Sequence, residues 1–218
     1  MNPYLNLSLV LLAPWLCCGA LAESYEQAPI SYSKTPANDA ISALQKKIDE
    51  GSKALLWNEQ GGYLRGLLQA LNIPESSQVL VFSKTSFQRQ KIWPSAPRAL
   101  YFNDDVYIGA VKGGDVLEIS AADPRQGAMF YTLDQRADPK PKFQRQTHNC
   151  LQCHDSMGLT GGVPGHIVRS VFPDGEGMPM LNLGTFRTNY QSPLSERWGG
   201  WYTTGQHGTQ RHMGNLCL

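Results

Sequence analysis

The stretch from His148 to His154 carries the most specific chemistry in this sequence. Cys150 and Cys153 are separated by two residues, and His154 follows the second cysteine directly. Two thiols at this spacing lie on one turn of chain, where each can reach one vinyl group of the same porphyrin while the adjacent imidazole binds the iron. The pattern predicts one covalently attached haem c per chain, with thioethers at Cys150 and Cys153 and His154 as proximal ligand.

The same Cys-x-x-Cys spacing also serves redox dithiols, structural disulfides and zinc sites, and the pattern alone leaves these alternatives open. A zinc site needs ligands beyond these residues, and the sequence has no second Cys-x-x-Cys. A thioredoxin-like motif is expected at the end of an early strand, whereas Cys150 follows a β-rich region. Both considerations favour haem.

The N-terminal segment has features of an export signal. Residues 5–16 are mostly apolar, and Ala20-Leu21-Ala22 has the form that signal peptidase accepts. The segment has no Lys or Arg, and an uncleaved anchor is the alternative, but its apolar run is shorter than the roughly 20 residues that span a bilayer. We therefore expect residues 1–22 to be a signal peptide cleaved after Ala22, and the mature chain to be periplasmic or otherwise exported, without a membrane span.

The other cysteines are consistent with an exported haem protein. Cys17 and Cys18 leave with the signal; a lipidated cysteine there is an alternative, although Leu16 is not the small residue expected before one. Cys217 then remains in addition to Cys150 and Cys153, and an odd number of thiols argues against a plain disulfide framework.

The chain before the motif predicts two helices and then strands. Asn38 or Asp39 is a candidate cap for a helix that extends to Trp57, and a second helix is expected between Gly62 and Leu71. Short β-branched and aromatic runs bounded by turn residues follow between residues 78 and 133, and they predict antiparallel strands.

These patterns predict an α+β fold with a boundary near residue 140, at a charged connector that contains proline. Residues 23–38 are expected to be a linker. Residues 39–140 are expected to form N-terminal helices and an antiparallel β-rich middle, and residues 141–218 a loop- and helix-rich haem-binding region.

The chain resembles the c-type cytochromes in the segment Cys150 to His154, with residues 143–215 as the corresponding haem-binding unit. It is also similar to bacterial exported proteins with a cytochrome c domain, through residues 197–202 and 207–215. The resemblance implies haem binding and electron transfer with a redox partner protein. More than a hundred residues precede the motif, which is unusual for a simple small carrier.

A second axial ligand would set the potential of the iron and its access to small molecules. Met213 ranks first, because it lies 59 residues after His154, a separation similar to that in small single-haem cytochromes. An open sixth position is also considered, and the remaining candidates are Met178, Met180, His166, His207 and His212.

One-electron transfer in the periplasm is the favoured function. The alternatives are a peroxidase-like haem enzyme with an open iron and an acid–base group among His148, His166 and His207, or a binding module stapled by haem. With 19 Lys and Arg against 18 Asp and Glu, no basic stripe indicates nucleic-acid binding. Because the sequence stops among candidate ligands, a fragment of a longer multihaem protein is a further alternative.

Overall fold

The computed structural model describes residues 24–155 and 157–218. The predicted signal peptide, its cleavage site after Ala22, Cys17 and Cys18 lie outside these residues. The strands are β1 (Val79–Val81), β2 (Arg98–Phe102), β3 (Val106–Ala110), β4 (Val116–Asp123), β5 (Gly127–Asp134), β6 (Phe143–Arg145), β7 (Val168–Val171), β8 (Thr185–Thr188) and β9 (Trp201–Tyr202).

Seven of these strands form one antiparallel sheet in the order β6-β5-β4-β3-β2-β1-β9, while β7 and β8 form a separate hairpin. The strands from β1 to β6 follow one another in sequence, which is the meander expected of short strands joined by tight turns. The last strand returns from the far end of the chain and pairs Trp201 with Val81.

The helices are short. They are α1 (Ala40–Asp49), α2 (Leu64–Ala70), α3 (Leu151–His154) and α4 (Met157–Thr160). The side chain of Asp39 caps α1 by accepting from the backbone N–H groups of Ile41 and Ser42. The helix ends at Asp49, well before the predicted Trp57, and Gly51 follows with a positive φ of 74°. Single turns of 3₁₀ helix lie at Ser24–Glu26, Glu75–Ser77, Arg89–Lys91, Leu181–Leu183 and Leu194–Glu196.

One face of the sheet forms the core with α1 and α2. A register row across β2, β3, β4 and β5 places four buried side chains on this face, namely Tyr101, Ile108, Ile119 and Tyr131. The Tyr131 hydroxyl donates to Oδ2 of Asp39 at 2.5 Å, so the capping residue of α1 is also tied to the sheet.

The opposite face carries a second register row of Phe102, Tyr107, Ser120 and Phe130. We call these four residues the outer row. Side chains alternate between the faces of a strand, so the outer row points away from the core helices. The chain that follows β6 packs on this face.

The predicted fold class is wrong. The structure is mostly an antiparallel sheet with few helices, and it is helix-rich neither at the N-terminal part nor in residues 141–218. In the latter region α3 and α4 have four residues each, whereas β6, β7, β8 and β9 supply its extended elements. The physical reason is that strand pairing between distant segments, such as β9 with β1, depends on tertiary contacts that local sequence patterns do not carry.

The main sheet also contains strands from both sides of the boundary predicted near residue 140, because β6 pairs with β5 and β9 pairs with β1. None of the helices in residues 24–155 and 157–218 has the length and apolar character that crossing a membrane requires.

A buried carboxylate organises the turn between β4 and β5. Asp123 is 5% exposed, and it accepts from the backbone N–H groups of Asn38 at 2.6 Å, Arg125 at 2.8 Å and Gln126 at 3.0 Å. Burial by itself raises the pKa of Asp123, but these donors outweigh burial and hold the pKa below its ordinary value. The carboxylate thereby joins the chain before α1 to the sheet.

We expect Asp123→Asn to destabilise the protein at neutral pH by about 1–3 kcal/mol, because the amide nitrogen must face a backbone N–H donor. Since the folded-state pKa of Asp123 is depressed, its stabilisation is present above the unfolded value and is lost as the pH falls through the folded value, below about pH 4. The difference in free energy of unfolding between variant and wild type, measured with denaturant, should therefore be smaller in this acidic range than at pH 7.

The matched control is Asp104→Asn, at an exposed turn carboxylate. An equal loss of unfolding free energy in both variants, or a difference from wild type that does not change with pH, would contradict the stabilising role of the Asp123 carboxylate.

Candidate functional site

The Cys150–His154 segment folds as one helical turn. The carbonyl of Cys150 accepts from the N–H of Cys153 at 3.2 Å and of His154 at 3.0 Å. Residues three and four apart lie on one face of a helix, so the two cysteines and the histidine share a face. Leu151, which is 1% exposed, anchors the turn in the core.

The thiols on this face are free. Cys150 is half-buried against the core and Cys153 is exposed. Burial, with smaller contributions from Glu118 and Cys153, raises the pKa of Cys150 to about 11. Cys150 is therefore a protonated thiol at neutral pH, and neither residue of the pair is consumed in a disulfide.

Gly165 holds His154 from both of its backbone groups. The Nδ1 atom of His154 lies 3.0 Å from the carbonyl oxygen of Gly165, and the N–H of Gly165 donates to the carbonyl of His154 at 2.9 Å. Because a carbonyl oxygen only accepts, Nδ1 must carry the proton in this bond. In the neutral ring, Nε2 is then the basic nitrogen that can bind a metal.

The surroundings of His154 favour that neutral ring. Burial lowers its pKa, and the charge of Arg98 acts in the same direction, while the hydrogen bond to Gly165 and the charge of Glu118 oppose them. The ring of Phe130, in the outer row, packs against the imidazole with centroids 4.5 Å apart. A neutral, sterically held imidazole is the form in which histidine acts as a metal ligand.

One buried donor on the same face of the sheet lacks an acceptor. Arg98 pairs with Glu118 through Nη1 at 2.9 Å, but its buried Nε has no hydrogen-bond partner among the described residues. A buried N–H without an acceptor is costly, so this atom is a fitting partner for an anionic group.

The loop that carries Gly165 is attached to the start of β5. The N–H of Ala128 donates to the carbonyl of Pro164 at 2.7 Å. Gly127 has a φ of +78°, and a Cβ placed there would overlap the carbonyl oxygen of Pro164 and lie 2.9 Å from Cγ1 of Val163. The loop can approach the strand this closely because residue 127 has no side chain.

His166 lies next to this site but is engaged elsewhere. Its Nε2 is 2.6 Å from the hydroxyl oxygen of Ser120, and its ring packs against Tyr107 with centroids 4.8 Å apart. Burial, with the neighbouring charge of His154, lowers the pKa of His166. His166 is one of the predicted second ligands of the iron, and its contacts lie on the face of the sheet against which His154 also packs.

The structure does not bring Met213 to His154. Met213 is 4% exposed, its sulfur accepts from the Ser170 hydroxyl at 3.5 Å, and its N–H donates to the carbonyl of Arg197 at 2.9 Å. Its methyl carbon lies against Gly199, just before β9. Since β4, β3, β2 and β1 separate β5 from β9 in the sheet, this sulfur and the imidazole on Phe130 belong to different regions.

The other candidate ligands lie apart from the cysteine pair. His207 and His212 face each other with centroids 4.6 Å apart, in a cavity of about 250 Å³ that Trp198 and Asn215 also line. Met178 is 43% exposed and Met180 is half-buried, both beyond β7. His148, an acid–base candidate, is exposed at the start of the cysteine turn, where its carbonyl accepts from the N–H groups of Leu151 at 3.0 Å and Gln152 at 3.3 Å.

The residue types at this site are those that hold a c-type haem. Two free thiols and an imidazole in the Nδ1–H form share one face of a turn, and Arg98 offers an unmatched donor nearby. Among the residues with described positions, no group of three or more His, Cys, Asp or Glu is arranged to hold a metal ion.

Sequence reasoning missed the residues that orient His154. Gly165 belongs to the glycine- and proline-rich run 161–165, a composition that allows close backbone approach but does not indicate toward what. Phe130 and Ser120 carry no local signal, because only the strand register places them together. The sequence suggests His166 as an iron ligand or an acid–base group, and nothing in it indicates that the residue is a neighbour of Ser120.

Comparisons of the chain with protein-family models, with curated proteins and with solved structures find no match.

We expect Gly127→Ala to lower the free energy of unfolding more than Gly113→Ala does. Both residues have positive φ, so each variant loses roughly 1–2 kcal/mol from left-handed backbone. A methyl group at residue 113 meets no atom within 4 Å, whereas at residue 127 it displaces the Pro164 carbonyl. We expect overpacking to add about 1–3 kcal/mol at residue 127. Denaturant unfolding of the two variants measures the difference, and equal losses would contradict the close approach.

Proposed function

We propose that this protein carries one c-type haem, attached through Cys150 and Cys153 with His154 as proximal iron ligand, and that it transfers single electrons. The observation that carries the proposal is the shared face of the helical turn, on which the motif's two thiols are free and its imidazole has Nε2 as the basic nitrogen.

Attachment requires little of the protein beyond placement of the two thiols. Each thioether forms when a cysteine S–H adds across a vinyl double bond, with sulfur bonding to one carbon and hydrogen to the other, so no oxidant or reductant is consumed. Cys150 has the raised pKa of a buried thiol, and Cys153 is exposed. The exposed Cys153 is accessible to a vinyl group, whereas Cys150 lies on the side of the turn that packs against the core.

The haem would supply an iron that changes oxidation state by one electron, and the chain would supply its orientation and electronic setting. His154 would hold the iron through Nε2, while its Nδ1–H bond to Gly165 fixes the ring and raises the basicity of Nε2. The unmatched Nε–H of Arg98 would suit an anionic group such as a propionate.

The proposed location is the periplasm, where c-type haem is attached in bacteria. Support comes from the apolar N-terminal segment and the signal-peptidase form at residues 20–22. A redox partner protein is part of the same proposal, since an electron carrier needs a donor and an acceptor.

We expect Cys150→Ala combined with Cys153→Ala to abolish covalent haem, because no thiol of the motif then remains. The protein is exported with a c-type maturation system, denatured and tested for haem that stays with the polypeptide. Cys217→Ala is the matched control, since this cysteine is also free and exposed, and it should retain wild-type haem. Haem that survives denaturation in the double variant would overturn the attachment assignment, and absence of haem from the wild type would overturn the function.

A second candidate function is a haem protein that binds small molecules at an open iron. The observation that favours it is the position of Met213, whose sulfur is buried beside Ser170 next to β9. His166 would be the acid–base group of such a protein, since its contacts lie on the sheet face against which His154 packs.

We expect Met213→Leu to leave the visible spectrum of the reduced protein unchanged, because the substitution conserves volume at a position whose sulfur lies against Ser170. Met180→Leu serves as the comparison at another candidate. A change to a high-spin spectrum in the Met213 variant alone would assign Met213 to the iron.

Carbon monoxide added to the reduced wild type then separates the two functions: a shifted spectrum indicates an open site, and an unchanged one indicates six-coordinate iron and electron transfer.

A further inference from the structure

The bond that orients His154 depends on one peptide group, and this group has no side chain of its own to hold it. The carbonyl of Gly165 belongs to the peptide that joins Gly165 to His166, so its direction follows from where the two flanking residues are fixed. On one side, Pro164 is tied to β5 through its carbonyl and the N–H of Ala128 at 2.7 Å.

The other side is fixed by His166. Its Nε2 lies 2.6 Å from the Ser120 hydroxyl on β4, and its ring contacts Tyr107 on β3 and Phe130 on β5. The outer row therefore touches both histidines, because Phe130 also packs against His154.

Ordinary packing of His166 does not by itself account for the direction of the Gly165 carbonyl. His166 is exposed at the end of this loop, where water can satisfy its ring nitrogens, so burial alone requires neither the bond to Ser120 nor a neighbouring carbonyl that faces a second imidazole. Here the carbonyl between the two rings accepts from His154, and the Gly165 N–H returns a bond to the backbone of His154.

We propose that Ser120 and His166 are positioning residues, which hold the Gly165 carbonyl against Nδ1 of His154 and thereby set the basicity of the iron ligand. The proposal rests on the proposed function for its effect on iron. Its structural part, the orientation of His154, is independent of haem.

The consequence has a definite sign. A strong Nδ1–H···O bond pushes electron density toward Nε2, which stabilises the oxidised iron and lowers its reduction potential. Loosening the carbonyl weakens that bond, so the potential should rise. The Nδ1 proton should also exchange with solvent more rapidly, because it spends more time without its acceptor.

The test uses Ser120→Ala, which removes the hydroxyl and keeps the strand, in the full protein purified after export. We expect a positive shift of the reduction potential and faster exchange of the His154 Nδ1 proton by NMR, with covalent haem content unchanged. His166→Phe retains a ring against Tyr107 and Phe130 but cannot bond to Ser120, and it should shift both quantities in the same direction.

Two further variants separate positioning from general disturbance of the sheet. Tyr107→Phe keeps the ring contact with His166 and should leave the potential and the exchange rate at wild-type values. Ser120→Thr restores a hydroxyl at residue 120 and should bring both quantities back toward wild type.

The outcomes distinguish the two proposals. A Ser120→Ala protein with wild-type potential and wild-type exchange of the Nδ1 proton overturns the positioning role. A wild-type protein without covalent haem overturns the proposed function instead, and in that case the exchange rate in the same variants still decides whether Ser120 and His166 orient His154.

Discussion

The reciprocal hydrogen bonds between His154 and Gly165 are the constraint on which the site depends. One bond fixes the tautomer of the imidazole and the other fixes the loop to the helical turn, so neither element can shift alone. A four-residue helix such as α3 has too few internal bonds to be stable by itself. Its shape is maintained from outside, by Leu151 in the core and by Gly165 at its C-terminal end.

The sheet provides the rigid surface that this arrangement needs. The outer row places Ser120 and Phe130 side by side through their register in β4 and β5, and each contacts one of the two histidines. Strands β4 and β5 pair over eight residues, which makes them the longest ladder of the fold. A site that rests on these strands is held more precisely than one built from loops alone. The β-rich part of the chain, for which the sequence suggested no purpose, thus supports the cysteine motif.

Local chemistry could be predicted from the sequence where neighbours along the chain create it. Cys150, Cys153 and His154 act through spacing within one turn, and Asp39 caps α1 through its own backbone neighbours. The architecture could not be predicted in the same way. Local periodicity suggested two helices in the N-terminal part, and few periodic elements marked the region after residue 140, where β9 joins β1 from more than a hundred residues away through a contact that only tertiary pairing determines. Met213 was ranked by its separation from His154, and separation does not encode the contact of its sulfur with Ser170.

The same distinction between local and distant contacts explains why two glycines of this loop and strand carry no chemical signal. Gly127 lets the Pro164 carbonyl reach β5, and Gly165 directs its N–H and its carbonyl, which belong to two successive peptide groups, toward His154. Neither residue can touch a cofactor through a side chain, so a search for chemical groups passes over both. At this site, backbone atoms orient the imidazole where a side chain would otherwise do so. Backbone carbonyls do not titrate, so the Gly165 acceptor is present at every pH at which the fold is stable, and it selects the Nδ1–H tautomer of His154 whenever the ring is neutral.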